Sequence, residues 1–272
     1  MAVKVFYHAN CTDGSGAALA AFISMGDTAE YIPVQYNMPM PDVGPSDVIY
    51  IVDFSYSYDQ LIELGNKVAK VVVLDHHKTA RQALEHIDHP NITVQFDMEQ
   101  SGAVLTWKYF HPDRAVPPLL SHIQDRDLWR FNMKGTKEIH RALGMYPDWI
   151  DWAQFLFEVG QLIPLGAAII KFLDVQIDRI ISHPPREFFA TDEIVPMYNI
   201  PGFLISDACD AALRKYPECR YAVGYIHLPD RMLYSLRSRQ GSGVDVAEIA
   251  LRYGGGGHEN AAGFRILHDQ KE

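Results

Sequence analysis

Three apolar segments of this chain stop at side chains that can hold a metal ion. Val3 to Tyr7 runs into His8, Asp47 to Val52 into Asp53, and Val71 to Leu74 into Asp75-His76-His77. Carboxylates mixed with imidazoles suit Mn²⁺, Mg²⁺, Fe²⁺ or Zn²⁺ better than calcium or a thiolate metal. Two such ions sharing one carboxylate can clamp the attacking and leaving oxygens of a phosphoryl transfer. Asp53 is the expected shared ligand because it ends the central strand. The plainer alternative is that Asp53 caps the helix beginning near Ser57, and that Asp75 caps a helix beside two surface histidines.

What must bring these residues together is a parallel sheet. The β-branched runs at 3–7, 47–53 and 71–75, and a weaker one at 30–35, alternate with helical stretches. These are Ala17 to Ile23, rich in alanine, and Ser57 to Lys70, which carries Leu61, Leu64 and Val68. Strand, helix and strand with short connections imply right-handed parallel crossovers. Every strand then points the same way, and His8, Asp53, Asp75 and His76 reach one sheet edge, where open α/β sheets place their chemistry. A further strand is expected at 91–96, and a helix from Ser101-Gly102 through Trp107 to Phe110.

From Pro117 to about Ser182 the chain reads as helical, with Asp125-Arg126-Asp127 early in it. Two acids two residues apart do not share a helical face. One direct ligand is therefore expected, and Asp125 is favoured. Asp127 would orient a histidine from outside or pair with Arg126 or Arg130. His183-Pro184-Pro185 breaks the helix, so the expected domains are 1–182 and 193–272, with 183–192 as linker.

The second domain reads as α+β. Strands are expected at 193–199, 221–227, 232–237 and 261–267, and helices at 207–215 and 244–253. Its notable stretch is Gly254-Gly255-Gly256-Gly257-His258. Consecutive glycines cost folding entropy and suit a backbone that approaches something closely. Their amides can form an anion-binding concavity. Gly255, Gly256, Gly257 and His258, with Arg237, Ser238 and Arg239, are therefore the expected phosphate contacts; a flexible loop is the alternative.

The chain has 272 residues and a formal charge of −10, which argues against a protein gripping long duplex DNA through a basic face. Three cysteines, Cys11, Cys209 and Cys219, form no paired framework, so a reduced, cytoplasmic setting is expected. No secretory leader is apparent, and the most apolar span, 155–173, is interrupted by Glu158, Pro164 and Lys171, so no membrane association is expected.

Five motifs in order, covering nearly the whole chain, resemble the DHH phosphoesterases with a carboxyl-terminal DHHA1 domain. They are His8 to Gly14, Val52-Asp53-Phe54-Ser55, Asp75-His76-His77, Asp125-Arg126-Asp127, and Gly254 to Gly263, reading GGGGHENAAG. The resemblance implies a parallel-sheet α/β DHH domain, a smaller α+β DHHA1 domain and an active site in the cleft between them. It implies hydrolysis of phosphodiesters by metal-activated water with one or two divalent ions, expected to be Mn²⁺. Asp13, Asp53, His76 and Asp125 would hold one ion; His8 and Asp53 belong to the other, while Asp75 supports the motif. His77, Asp53 and Asp127 are the expected catalytic groups, with His77 beside the transferring phosphate. The expected substrate is a short oligonucleotide or dinucleotide, linear or cyclic, or a bisphosphate nucleotide; a homodimer is compatible with such a chain. One residue departs from the family pattern: Cys11 stands where the first motif usually has an acid, so the second ion keeps His8 and Asp53 unless Cys11 supplies a thiolate. The alternative function is a degenerate DHH protein that binds nucleotide or nucleic acid without cleaving it.

Overall fold

The computed structural model describes residues 2–36 and 38–268. The chain divides into two compact units, Met1–Ile170 and Lys171–Glu272.

The first unit is an α/β layer structure. Its strands are β1 (Val3–His8), β2 (Ala29–Val34), β3 (Val48–Val52), β4 (Lys70–Asp75) and β5 (Ile92–Phe96), and its helices are α1 (Thr12–Met25), α2 (Tyr58–Lys67), α3 (Lys78–Leu84), α4 (Gly102–Phe110), α5 (Pro118–Asp127) and α6 (Thr136–Leu143). The strands lie in the order β2-β1-β3-β4-β5, and every pairing is parallel. The central strands β3 and β4 are apolar along most of their length because both faces are covered. Phe6, Ile49, Ile51, Val71 and Val73 pack with Leu61, Leu64 and Leu84 on one side. Val5, Val72 and Leu74 pack with Ala17, Ala21 and Leu105 on the other. Each fully buried aliphatic side chain of this kind contributes about 1.5–3 kcal/mol.

Strand order reverses between β1 and β3: β1 leads outward to β2, whereas β3 leads to β4 and β5. That is the topological switch point, where the loops leaving adjacent strands diverge and open a crevice at the carboxyl edge. Helix α1 lies close against the sheet and α4, because Ala17 to Ala21 present only small groups apart from Leu19. Gly16 is needed there, since a Cβ would meet both Ala103 Cβ and Ile123 Cδ1 at 3.0 Å.

Helix α7 (Leu162–Ile180) carries the chain from the first unit into the second. The division falls inside this helix, earlier than the 183–192 linker expected from His183-Pro184-Pro185. The reason is packing: Ile177 joins the second unit's core with Ile181, Ile205 and Ala208. Among the described residues no helix is long and apolar enough to cross a membrane.

The second unit is the smaller α+β part. It holds β6 (Arg186–Phe188), β7 (Glu193–Val195), β8 (Met197–Asn199), α8 (Ile205–Lys215), β9 (Tyr221–His227), β10 (Arg231–Ser238), α9 (Val246–Leu251), β11 (Gly256–His258) and β12 (Ala261–Leu267). Its main sheet runs β11-β12-β10-β9-β8, antiparallel except for the parallel β8-β9 pair. The single strand expected at 193–199 is two, β7 pairing with β6 and β8 with β9, because Pro196 lacks the N–H to continue a ladder.

Candidate metal centre

Asp53 is the hub of the first unit's sheet edge. It follows β3 with a left-handed backbone (φ 55°), a conformation aspartate tolerates better than most residues. Its side chain is 1% exposed. Oδ1 lies 3.1 Å from His76 Nε2, and Oδ2 lies 3.5 Å from His8 Nδ1. The two oxygens of one carboxylate thus face two donor sets. The helix that Asp53 was considered to cap, α2, is capped instead by Ser57 in a reciprocal pair with Gln60.

On the Oδ1 side stand Asp13 and Asp127, whose Oδ2 atoms lie 3.5 and 3.6 Å from His76 Nε2. Asp13, in the first turn of α1, accepts from the Gly102 and Ala103 amides at 2.5 and 3.0 Å, so the amino end of α4 fixes its carboxylate. Two glycines make these approaches possible. A Cβ on Gly102 would lie 2.4 Å from Asp53 Cβ, and one on Gly14 would lie 2.2 Å from the His8 carbonyl oxygen. The small residues of both motifs hold the ligand-bearing segments in contact.

On the Oδ2 side, His8, Cys11 and Asp53 each offer a ligand atom within 4.8 Å of the others; Asp13, Asp53 and His76 form a second such group. Among the described residues, His8 Nδ1 and Asp53 Oδ2 are buried without a hydrogen-bond partner. Buried polar atoms ordinarily find one, and a carboxylate oxygen facing an imidazole nitrogen, neither with a close partner, is a pair that a cation would satisfy. The donor set of carboxylates and imidazoles fits a divalent ion.

Asp75, wholly buried at the end of β4, supports the motif. It accepts from Ser55 Oγ at 2.7 Å and the His76 amide at 2.7 Å, and it lies 2.7 Å from His77 Nδ1. These contacts fix the His77 ring and the β4–α3 turn. Ser55 was not anticipated as a participant, although its place two residues after Asp53 puts it at the same edge.

The charge balance also points to a cation. Burial presses the Asp13 carboxyl upward, Asp53 and Asp127 add to it, and the group stays well above the ordinary range. Asp127, more exposed than the other acids, is raised as well, by partial desolvation and the neighbouring Asp53. For Asp53 burial acts upward too, yet the His76 hydrogen bond, the nearby His8 ring and the charges of His76 and His77 hold it well below normal. Burial would lower His76, but its acidic neighbours raise it well above an ordinary imidazole. Acids crowded this closely repel one another, and a bound dication relieves that repulsion.

The choice of Asp125 as ligand is corrected by the structure. Asp125 accepts from the Asn132 and Met133 amides at 2.8 and 3.1 Å and from Thr136 Oγ1 at 2.6 Å. It braces the reversal after α5, where Trp129 and Phe131 take left-handed backbone. Asp127, the last residue of α5, is the one that faces His76.

In the second unit most of the expected phosphate contacts are used internally. Arg239 donates to the Leu213 and Pro217 carbonyls, closing the carboxyl end of α8. Ser238 Oγ donates to Val244 O at 3.2 Å and accepts from Asn260 at 2.8 Å. The glycine run is not a loose loop: Gly256, Gly257 and His258 form β11 against β12. A Cβ on Gly255 would lie 2.1 Å from Gly263 O, and one on Gly257 would lie 2.5 Å from Ala261 O. Arg237 is the exception in degree, with Nε donating to Ser206 Oγ at 3.2 Å and Nη1 to the Leu236 carbonyl at 2.8 Å.

A parallel sheet with an Asp-His-His turn at its carboxyl edge, followed in the chain by a small α+β unit, is the fold of DHH-domain proteins. No family profile matches the chain. It is 33% identical over 285 residues to an uncharacterized protein of Acanthamoeba polyphaga mimivirus, across 96% of this chain and 66% of that protein. It is 23% identical over 306 residues to the oligoribonuclease NrnB of Bacillus subtilis, across 98% of this chain and 73% of that protein. The chain thus spans only part of the length of both relatives. Among solved structures, the pGpG-specific phosphodiesterase PggH from Vibrio cholerae matches with a TM-score of 0.52 at 14% identity, covering 98% of this chain and 94% of that one. The DHH domain of a member of a ribosomal-protein family matches with a TM-score of 0.56 at 15% identity, covering all of this chain and 84% of that one.

Proposed function

We propose that the chain is a metal-dependent phosphodiesterase of short nucleotides, with a linear dinucleotide as its best substrate. The observation that carries this reading is the division of the Asp53 carboxylate: Oδ1 lies 3.1 Å from His76 Nε2, which also neighbours Asp13 and Asp127, and Oδ2 lies 3.5 Å from His8 Nδ1, with Cys11 in the same group of ligand atoms. Such a shared acid is what a pair of divalent ions requires. Ions held there would supply an activated water and neutralise charge on the phosphate. The protein's own part is to hold the acids rigid, through the α4 amides on Asp13 and the Ser55 and His77 contacts on Asp75. His77, fixed through Nδ1 by Asp75, has its pKa raised because that neighbouring acid outweighs the effect of burial. It is placed to lend positive charge beside the phosphate.

Tyr36 supports a nucleotide in particular. Half exposed, it packs its ring 4.7 Å from Phe54 and edge-on to His8 at 5.9 Å, so an aromatic face stands at the rim of the acid cluster. Bases stack on such faces with little regard to their identity. PggH, a pGpG-specific phosphodiesterase, and NrnB, an oligoribonuclease, act on this class of substrate.

The test is a panel of linear and cyclic dinucleotides, longer RNA and bisphosphate nucleotides, incubated with Mn²⁺, Mg²⁺, Zn²⁺ or Co²⁺ and read by product chromatography. Metal-dependent release of mononucleotides from the linear dinucleotide, lost in Asp53→Asn, is the expected result. Tight nucleotide binding with no product under any metal would select the non-hydrolytic alternative.

A further inference from the structure

The three cysteines occupy two different environments. Cys209 is fully buried in an apolar cluster with Ile205, Ala208 and Ala212, and Cys219 is buried in the same cluster with its thiol against the Ile194 carbonyl. Both serve as small core side chains. Cys11 instead lies within ligand distance of His8 and Asp53, and Asp13 and Asp127 are near enough to act on it electrostatically. No apolar niche explains it. Its position explains it poorly: Cys11 is the amino-terminal cap of α1, a place where Ser, Thr, Asp or Asn stabilise, and its thiol meets only the Gly14 amide there, a weak contact for sulfur.

The second observation comes from its neighbours. Asp53 Oδ2 and His8 Nδ1, both buried, lie 3.5 Å apart with no hydrogen-bond partner among the described residues. The thiol, His8 and Asp53 each offer a ligand atom within 4.8 Å of the others. On the other side of Asp53, the partners are oxygen-rich: Asp13 and Asp127 with one imidazole.

We propose that the two halves of the centre select different metals: His8, Cys11 and Asp53 form a nitrogen, sulfur and oxygen site for a zinc-class divalent ion, whereas Asp13, Asp53, His76 and Asp127 form a hard site for Mn²⁺ or Mg²⁺. Deprotonated sulfur with imidazole draws borderline and thiophilic ions, and carboxylates with water draw hard ones. On binding, Cys11 gives its proton to solvent and forms the sulfur–metal bond; no redox change is involved. This rests on the reading of the Asp53 edge as a metal centre and adds which ion each half takes.

Co²⁺ titration of the full chain tests it, because a cobalt–thiolate bond gives a near-ultraviolet charge-transfer band that oxygen and nitrogen ligands do not. The wild type is expected to develop the band. Cys11→Ser should lose it while still binding Co²⁺ through the acid-rich half, and a Cys209→Ala, Cys219→Ala variant should keep it. In Zn²⁺ and Mn²⁺ competition, Cys11→Asp should shift the preference toward Mn²⁺ by on the order of tenfold or more, since even partners behind the ligands cost that much. Circular dichroism establishes that each variant is folded. Cobalt bound by the wild type without the band, a band that survives Cys11→Ser, or an unchanged metal preference in Cys11→Asp would each overturn the proposal. Dinucleotide hydrolysis run in parallel separates the two failures. Turnover with Mn²⁺ but no sulfur band sinks the metal assignment alone, whereas a folded chain that binds no divalent ion sinks the metal centre itself.

Discussion

The sheet edge around Asp53 and the glycine-arginine stretch of the second unit both announce themselves by motif, yet they use their polar atoms in opposite ways. At the sheet edge, two buried polar atoms face one another at 3.5 Å: Asp53 Oδ2 and His8 Nδ1 lack hydrogen-bond partners among the described residues. In the second unit, Arg239 closes α8, Ser238 ties two neighbouring segments, and the glycines are consumed by the contact of β11 with β12. Leaving buried polar groups unsatisfied costs free energy, so the first arrangement persists for a ligand and the second holds the fold. The bare atoms are better evidence of function than the motif spelling.

The sharpest way to break this comparison is to alter one group on each side. Asp53→Asn keeps the shape but removes the charge shared by both halves, and should lower kcat/KM on a dinucleotide by on the order of 10²–10³-fold or more, measured under saturating Mn²⁺. A loss smaller than tenfold would deny Asp53 its shared role.

The pair at the end of α5 makes the same contrast within three residues. Asp127→Asn should weaken Mn²⁺ binding while leaving the melting temperature close to wild type. Asp125→Ala should strip the Asn132, Met133 and Thr136 donors of their acceptor and destabilise the fold by about 2–3 kcal/mol, visible in urea unfolding. Metal affinity should hold in the fraction that stays folded. Reversal of the two phenotypes would return the ligand role to Asp125.

A smaller effect is expected at the rim. Tyr36→Ala should raise KM for a dinucleotide by an amount set by one stacking contact, about 1–3 kcal/mol. It should leave hydrolysis of a phosphodiester lacking a base unchanged, which a general loss of structure would not. Smallest is Arg239→Ala, expected to cost about 0.3–1 kcal/mol of stability as a cation lost from the end of α8, with KM unaffected. A KM effect there would restore it as a phosphate contact.

Much of the fold was legible because apolar β-branched runs and their helical partners have distinct periods. Parallel topology then carried His8, Asp53, Asp75 and His76 to one edge with no need of a contact map. The choice between Asp125 and Asp127 was not legible. Spacing says only that they diverge, and the outcome depends on α5 ending at Asp127 and on the left-handed turns at Trp129 and Phe131 that bring new donors back to Asp125. The division inside α7 was also hidden, because a proline pair is conspicuous in sequence and the burial of Ile177 is not. Ser101-Gly102 showed a helix start; that its amides would hold Asp13, far away in the chain, is a tertiary fact.

The central claim is that one carboxylate serves two ions, and metal stoichiometry tests it most directly. Equilibrium dialysis against Mn²⁺ and Zn²⁺ together, read by elemental analysis, should find two ions per wild-type chain and neither tightly held in folded Asp53→Asn. A wild-type chain that holds a single ion, or a variant that keeps both, would contradict it.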